Sequence, residues 1–345
     1  MNFLRIILLP TVPVYAIIIW IRNFLFDKNI FKSIKVKAKI ISVGNITVGG
    51  SGKTPATIYI TELLKKYGMN VGVLSRGYGR KSRGYVLVSD GKDILTSVGK
   101  SGDEIYHTVL DCKVSAAVCE NRVLGAEKLI DETGVNTIVL DDAFQHRWID
   151  RDLDIVVIEQ RFLTDESFLV KSLLPTGTMR EPFGSLRRAD AVIINRKFTT
   201  LKNIPEKFSQ YFRDINIFNG FYDAVGFYDL KSNTQFGLDE FEGQKSLVVS
   251  GIARPFSFLN VLSQTKVDTE NKLIFRDHKH YTYKDVQMIR KAFYSTNSHS
   301  VVTTEKDAVK LTNFSKELDD IDIYFLKIKF KMDDEDSFKG FIFKA

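Results

Sequence analysis

The sequence predicts an α/β fold of the P-loop NTPase type. It has a mostly parallel sheet with helices on both faces, a second smaller α/β domain, and an N-terminal membrane-associated helix. Three observations predict it. From Lys39 onward, short apolar runs alternate with amphipathic segments of helix length, as in a parallel sheet whose crossovers are helices. A glycine-rich run ending in Gly-Lys-Thr separates the first such strand from the first such helix. Residues 6–21, IILLPTVPVYAIIIWI, contain no charged side chain.

That apolar segment is the first element. Sixteen residues fall slightly short of the roughly 20 a perpendicular span needs, and Pro10 and Pro13 would kink or restart a helix. Tyr15 and Trp20 suit a membrane interface. No small-residue cleavage site follows Ile21, which argues against a removed signal peptide. A short span and an interfacial anchor both fit, and a buried helix of a soluble protein is the plainer alternative. Between Arg22 and Lys39 stand six basic residues and one acid, Asp27. This basic cluster fits an anionic membrane surface and puts the rest of the chain on the cytoplasmic side.

The body follows in order. Ile40–Val43 is a buried-type strand, and Thr54–Lys66 a helix with Pro55 near its start and Gly68 after its end. Val71–Leu74, Cys112–Cys119, Asn136–Leu140, Asp154–Glu159 and Asp190–Asn195 read as further strands. Glu120–Thr133 is an amphipathic helix stopped by Gly134. In the second half the clearest strands are Ser246–Ser250 and Ser300–Thr303, and the clearest helix is Asp285–Tyr294. We therefore expect an anchor over residues 1–30, a core domain over 31–216 and a smaller domain over 217–345, with the inter-domain connection at 217–228.

The bulk numbers agree. A chain of 345 residues fits two domains, and 44% hydrophobic with 26% charged residues describes a folded protein. Two cysteines, Cys112 and Cys119, without zinc-like pairing to histidine, read as buried apolar thiols in a reducing compartment. The net charge of +7 admits nucleic acid, membrane or an anionic substrate, but no nucleic-acid-binding signature is present. A monomer is expected.

The chemistry starts at Gly44–Thr54, GNITVGGSGKT. Backbone N–H groups of Thr47, Val48, Gly49, Gly50, Ser51 and Gly52 and the following helix N-terminus would cradle the phosphates of ATP. Lys53 would reach the β/γ-phosphates, and the Thr54 hydroxyl would ligate Mg²⁺. Thr47 occupies the position where the usual GxxxxGK[ST] pattern has glycine. A second metal candidate is the pair Asp141 and Asp142, directly after the strand 136–140; alone, such a pair also occurs as a helix cap. Ser75–Arg80, SRGYGR, is a glycine-spaced basic loop. Arg76, Tyr78 and Arg80, together with Asn45, are candidates for contacting a phosphate or sugar head group, and a solvated turn is the alternative for the loop. Arg180 and Glu181 offer a charge clamp and a metal-side carboxylate. Asp103, in Gly102-Asp103-Glu104, is a carboxylate at a turn before a helix, able to accept a hydroxyl proton or simply to cap that helix. Thr304-Glu305-Lys306-Asp307 reads as a helix N-terminal box.

These runs together resemble one family, the tetraacyldisaccharide 4′-kinases that act in lipid A biosynthesis. The resemblance extends from the apolar segment to about Leu311. It rests on VGNITVGGSGKTP at 43–55, SRGYGR at 75–80, GDE at 102–104, LDDAFQHR at 140–147, RDLDIVV at 151–157, LLPTGTMREP at 173–182, GIARP at 251–255, RDHKHYT at 276–282 and TTEKDAVKL at 303–311. Thr47 is itself part of it. Ala143 departs from it, standing where the family has glycine, and fits only if the backbone there is not left-handed. The resemblance implies transfer of the ATP γ-phosphate to the 4′-hydroxyl of tetraacyldisaccharide 1-phosphate, giving lipid IVA. It also implies Asp103 as the base and His278 as its catalytic partner. Two rival readings remain at this point. One is a membrane-bound P-loop nucleotide switch, which would have no use for Asp103 or His278. The other is a kinase of a different lipid or small polar acceptor.

Overall fold

The computed structural model describes residues 7–252, 255–277 and 279–344. The chain separates into two compact units, one running to Phe221 and resuming at Lys331, the other spanning Tyr222–Phe330.

The first unit is built on strands β1 (Lys39–Gly44), β2 (Val71–Ser75), β3 (Val86–Asp90), β4 (Ser115–Val118), β5 (Thr137–Asp141), β6 (Leu153–Glu159), β7 (Ala191–Asn195) and the start of β8 (Asn216–Asp229). Their order is β8-β7-β6-β1-β5-β2-β4-β3. All neighbours in it are parallel except β3 on β4, where a register shift lies between Leu87 and Ser89. The strands read as continuous apolar runs because both faces are covered. Helix α2 (Lys53–Lys66) packs on β1, β2 and β5 and against α3 (Asp103–Cys112). Helix α4 (Arg122–Thr133) puts Val123, Ala126 and Leu129 into a cluster with Ile40, Leu74, Ile138 and Leu140.

Local chemistry fixes these boundaries. Asn121 caps α4, its side-chain oxygen accepting from the N–H groups of Val123 and Leu124 at 3.1 and 3.2 Å, and Gly134 ends it at φ +68°. Residues 112–114 are not strand, as the apolar run 112–119 suggests. Cys112 closes α3, and Lys113 terminates that helix in the left-handed conformation. Both cysteines are buried free thiols.

The segment 217–228, expected as a connection, is part of a 14-residue strand, β8. Its aromatic and β-branched residues (Ile217, Phe218, Phe221, Tyr222, Val225, Phe227) favour a pleated surface strongly enough to override its glycines. A short strand, β9 (Gln235–Phe236), pairs antiparallel with β8, and the second unit continues in the order β8-β13-β12-β10-β11, with β10 Ser246–Ser250, β11 Lys272–Ile274, β12 Ser300–Thr304 and β13 Ile323–Met332. Helix α6 (Tyr283–Ser295), the helix after α5 (Pro255–Gln264), starts at a full capping box between Thr282 and Asp285.

Residues 331–345 do not belong to the second unit, contrary to a single domain over 217–345. The helix Glu335–Lys344 returns to the first unit. There Phe338 is fully buried, 4.9 Å from the ring of Phe218 and 6.0 Å from that of Tyr59. Phe338→Ala should therefore destabilise the first unit by about 3–5 kcal/mol. Urea unfolding followed by circular dichroism tests this; a loss under about 1 kcal/mol would mean that the helix is dispensable.

The segment Leu9–Asp27 is long and apolar enough to cross a membrane, and it is mostly exposed. Its helix α1 (Val12–Asp27) has two faces. Ile19 and Phe26 are buried, whereas Val14, Ile17, Ile18, Trp20, Ile21 and Phe24 face outward.

Candidate active site

In parallel sheets, ligands bind beyond the carboxyl ends of the strands. The phosphate loop lies there, between the end of β1 at Gly44 and the start of α2 at Lys53. Gly49 and Gly52 adopt φ of +96° and +97°, which explains glycine at both positions. Thr47 is different. It forms an antiparallel bridge with Met179, so its backbone is extended and needs no glycine. Two hydrogen bonds flank the bridge, Val48 N–H to the Thr178 carbonyl at 2.7 Å and Arg180 N–H to the Ile46 carbonyl at 2.8 Å. Thr47 and Val48 are thus a strand-paired shoulder, and the cradle proper is residues 49–54.

The loop is also braced from inside. Asn45, fully buried, donates through its amide to Ser51 Oγ at 3.0 Å. It is a scaffold residue and not the substrate contact expected above. Asn195, at the end of β7, donates to the Ser51 carbonyl at 3.0 Å, and Gln145 donates to the Asn45 carbonyl at 2.8 Å. At Gly44 a Cβ would come within 2.7 Å of the Phe144 backbone nitrogen, so only glycine lets β1 and the 141–147 turn meet.

The acidic pair follows β5, the neighbour of β1. Asp141 is buried and accepts from the Thr57 hydroxyl of α2 at 3.3 Å. Asp142 sits at φ +52°, a left-handed conformation that aspartate tolerates better than most residues. The chain leaves that region at once, so Ala143 is accommodated in place of glycine. Asp142 Oδ1 lies 3.7 Å from Lys53 Nζ and 2.7 Å from an Arg180 guanidinium nitrogen. Burial pushes the Asp142 carboxyl up, but Lys53 and then Arg180 outweigh it and hold the group below the usual carboxylate range. It is therefore ionised at neutral pH. Thr54, buried in the first turn of α2, and the two aspartates form an all-oxygen donor set of the kind Mg²⁺ takes.

Glu181 does not join them. Its fully buried carboxylate is gripped by Arg22 at 2.5 Å and Arg188 at 2.7 Å, with Asn23 at 3.2 Å. Burial raises its pKa, and the two arginines reverse this to a net lowering. With both oxygens engaged by cations, it is an ion-pair centre in this structure.

The loop after β2 meets the turn before α3 through glycines. A Cβ on Gly77 would be 2.8 Å from the Ser101 carbonyl oxygen, and one on Gly102 would be 2.9 Å from that of Tyr78. Gly102 is the N-cap of α3 and Asp103 its first residue, so Asp103 is not the cap. Lys65, at the end of α2, donates to the carbonyls of Cys112 and Lys113, at the end of α3. The two helices thus end together, and Asp103 begins α3 on the same side of the sheet as the phosphate loop. Arg76 and Tyr78 are exposed beside it. Arg80 is spent elsewhere, on Glu120 at 2.6 Å and the Gly84 carbonyl at 2.7 Å, and braces the loop without reaching outward.

Two further groups were not evident from the sequence. Arg122 is buried behind the acidic pair and donates to the Cys119 carbonyl at 2.6 Å. Burial lowers its pKa to about 10 against the pull of Asp141 and Asp142, leaving it charged. A cation as the first residue of a helix opposes the helix dipole, a signal that could have drawn attention to it. His146 is pushed down to about 4 by burial and by Arg122, Arg151 and Arg76, so it is neutral at pH 7.

In the second unit the 304–307 box is structural, as its pattern suggests. The Thr304 hydroxyl donates to Asp307 at 2.7 Å, and Asp307 also accepts from the Gly251 N–H at 2.8 Å. His278 lies outside the described residues.

Comparison with known proteins gives one consistent result. A family model described as tetraacyldisaccharide-1-P 4′-kinase matches residues 4–345. A tetraacyldisaccharide 4′-kinase of Desulfatibacillum aliphaticivorans is 33% identical over 347 residues, covering 95% of this chain and 89% of the relative. One from Phocaeicola vulgatus is 35% identical over 316 residues, covering 88% and 84%. The crystal structure of LpxK from Aquifex aeolicus in complex with ATP superposes with a TM-score of 0.79 at 30% identity, over 99% of both chains.

Proposed function

The chain belongs to the tetraacyldisaccharide 4′-kinase family, the lipid A 4′-kinases, and from that premise we propose how its residues carry out the transfer. The observation that carries the proposal is the run Lys53–Asp142–Arg180 across the mouth of the phosphate loop. ATP seats its phosphates on residues 49–54. Lys53 turns from Asp142 to the γ-phosphate, and Arg180 clamps the same charge from the other side. Thr54, Asp141 and Asp142 would hold Mg²⁺, which would screen the charge of the β- and γ-phosphates.

Asp103 is the base. As the 4′-oxygen bonds to the γ-phosphorus, the bond from that phosphorus to the bridging oxygen breaks, ADP leaves, and the hydroxyl proton passes to the carboxylate. The family resemblance gives His278 a catalytic role as well. Arg76 and Tyr78 receive the phosphorylated sugar head group. A switch protein would have no need of this acceptor-side machinery.

The outward face of α1 rests in the lipid. Its opposite face is engaged with the folded unit over Tyr15–Phe26, which favours a helix lying in the interface over one surrounded by acyl chains. The basic residues after it support a position on the cytoplasmic face, which for a lipid A kinase is that of the inner membrane. An acceptor with four acyl chains leaves the bilayer at about 0.8 kcal/mol per exposed methylene, so its kinase works where the acceptor lies.

The test is transfer of labelled γ-phosphate from Mg-ATP to tetraacyldisaccharide 1-phosphate in detergent micelles, beside other lipid alcohols. Selective labelling of the disaccharide is expected. A folded, ATP-binding protein that labels another acceptor instead would overturn the acceptor assignment.

A further inference from the structure

The apolar helix α1 carries polar side chains on its inward face, and they meet the segment that supplies Arg180. Arg22 pairs with Glu181 at 2.5 Å, and the Tyr15 hydroxyl donates to the carbonyl of Arg180 at 3.0 Å. The N–H of Arg180 is tied to Ile46 of the phosphate loop, and its guanidinium to Asp142. One residue is thus held by α1 on one side and by the nucleotide loop on the other. A second line runs from Glu181 through Arg188, whose guanidinium stacks 4.5 Å over Phe144, to the close contact at Gly44.

A helix serving only as a lipid anchor needs an apolar face and a loose joint. Burying a carboxylate between two guanidinium groups fixes instead one geometry, because a buried ion pair tolerates little displacement before a charge is left unpaired. We infer that Arg22 is a positioning residue for phosphoryl transfer: through Glu181 it sets the place of Arg180, so that seating of the membrane helix aligns the nucleotide site. The inference rests on the kinase reading above but not on the orientation of α1 in the bilayer.

The experiment compares full-length wild type, Arg22→Ala, Arg22→Lys and Tyr15→Phe in detergent micelles with Mg-ATP and tetraacyldisaccharide 1-phosphate. Flotation with phosphatidylethanolamine–phosphatidylglycerol vesicles is measured in parallel. Misplacement of a transition-state contact predicts that Arg22→Ala lowers kcat by about tenfold to a hundredfold, while KM for the acceptor and vesicle binding stay within about twofold. Arg22→Lys should recover part of the loss, because a lysine restores the charge without the planar fork. Tyr15→Phe should lose several-fold in kcat. If Arg22→Ala keeps its kcat and loses vesicle binding or acceptor KM, Arg22 is an anchor residue and the inference is overturned. If Arg22→Ala fails to fold, the two conservative variants decide, and wild-type kcat in both overturns it. Absence of transfer by the wild type in the same assay would mark failure of the kinase reading instead.

Discussion

Lys53→Ala should lower the rate of phosphoryl transfer by about 10²–10³-fold, the usual loss when a preorganised charge is removed from a developing anion. In the structure Lys53 rests 3.7 Å from Asp142, and its side chain is mostly enclosed. The lysine is therefore held ready at the mouth of the loop, with little reorganisation needed to meet a γ-phosphate. Its removal should have a small effect on stability, because Asp142 keeps Arg180 at 2.7 Å. Single-turnover transfer, with unfolding measured in parallel, separates the two effects. A rate within about threefold of wild type would show that this loop does not hold the reacting phosphate.

Asp103→Asn should lower kcat by about 10²–10⁴-fold, the span general bases contribute, with nucleotide affinity within about twofold. Asparagine preserves size and hydrogen bonding at the first position of α3 but accepts no proton at neutral pH. The position also places a negative charge at a helix N-terminus, worth about 0.3–1 kcal/mol. The same variant thus discriminates the two roles. A slightly less stable protein with normal kcat would make Asp103 a helix-dipole partner and leave the base unassigned.

The parts of the fold that could be read from the sequence are those governed by local rules. Strands β1, β2, β5, β6 and β7 are apolar on both faces, and α2 and α4 are stopped by glycine, so each announces itself within its own residues. The edge strand β3 does not, since Val86–Asp90 has only partial burial and an irregular register with β4. Strand β8 was obscured by its glycines, and residues 331–345 by the fact that their packing partners, Tyr59 and Phe218, lie far away in the sequence.

The candidate site divides in the same way. The phosphate loop and the acidic pair follow their strands directly and are visible as motifs. The ion pairs of Glu181 were not legible, because its partners come from helix α1 and from Arg188, which no spacing rule connects. Asn45 and Arg80 look like ligand residues by type and neighbourhood. Their hydrogen bonds to Ser51 and Glu120 show them holding loops in shape. The brace from Asn195 to Ser51 joins residues 144 positions apart. Its one sequence signal was a polar side chain at the carboxyl end of a strand, where such sheets keep their ligands.

The return of the chain to its first unit has a consequence for truncation. Residues 222–330 interrupt a unit whose last helix is translated after them. A chain ending at residue 330 can make the pairings of its second unit while the first lacks Phe338 and Ile342, both fully buried in the whole protein. Such a chain would therefore hold a nucleotide-loop unit with an uncovered aromatic patch. The isolated unit is reached by replacing 222–330 with a short linker, not by truncating the gene at 221.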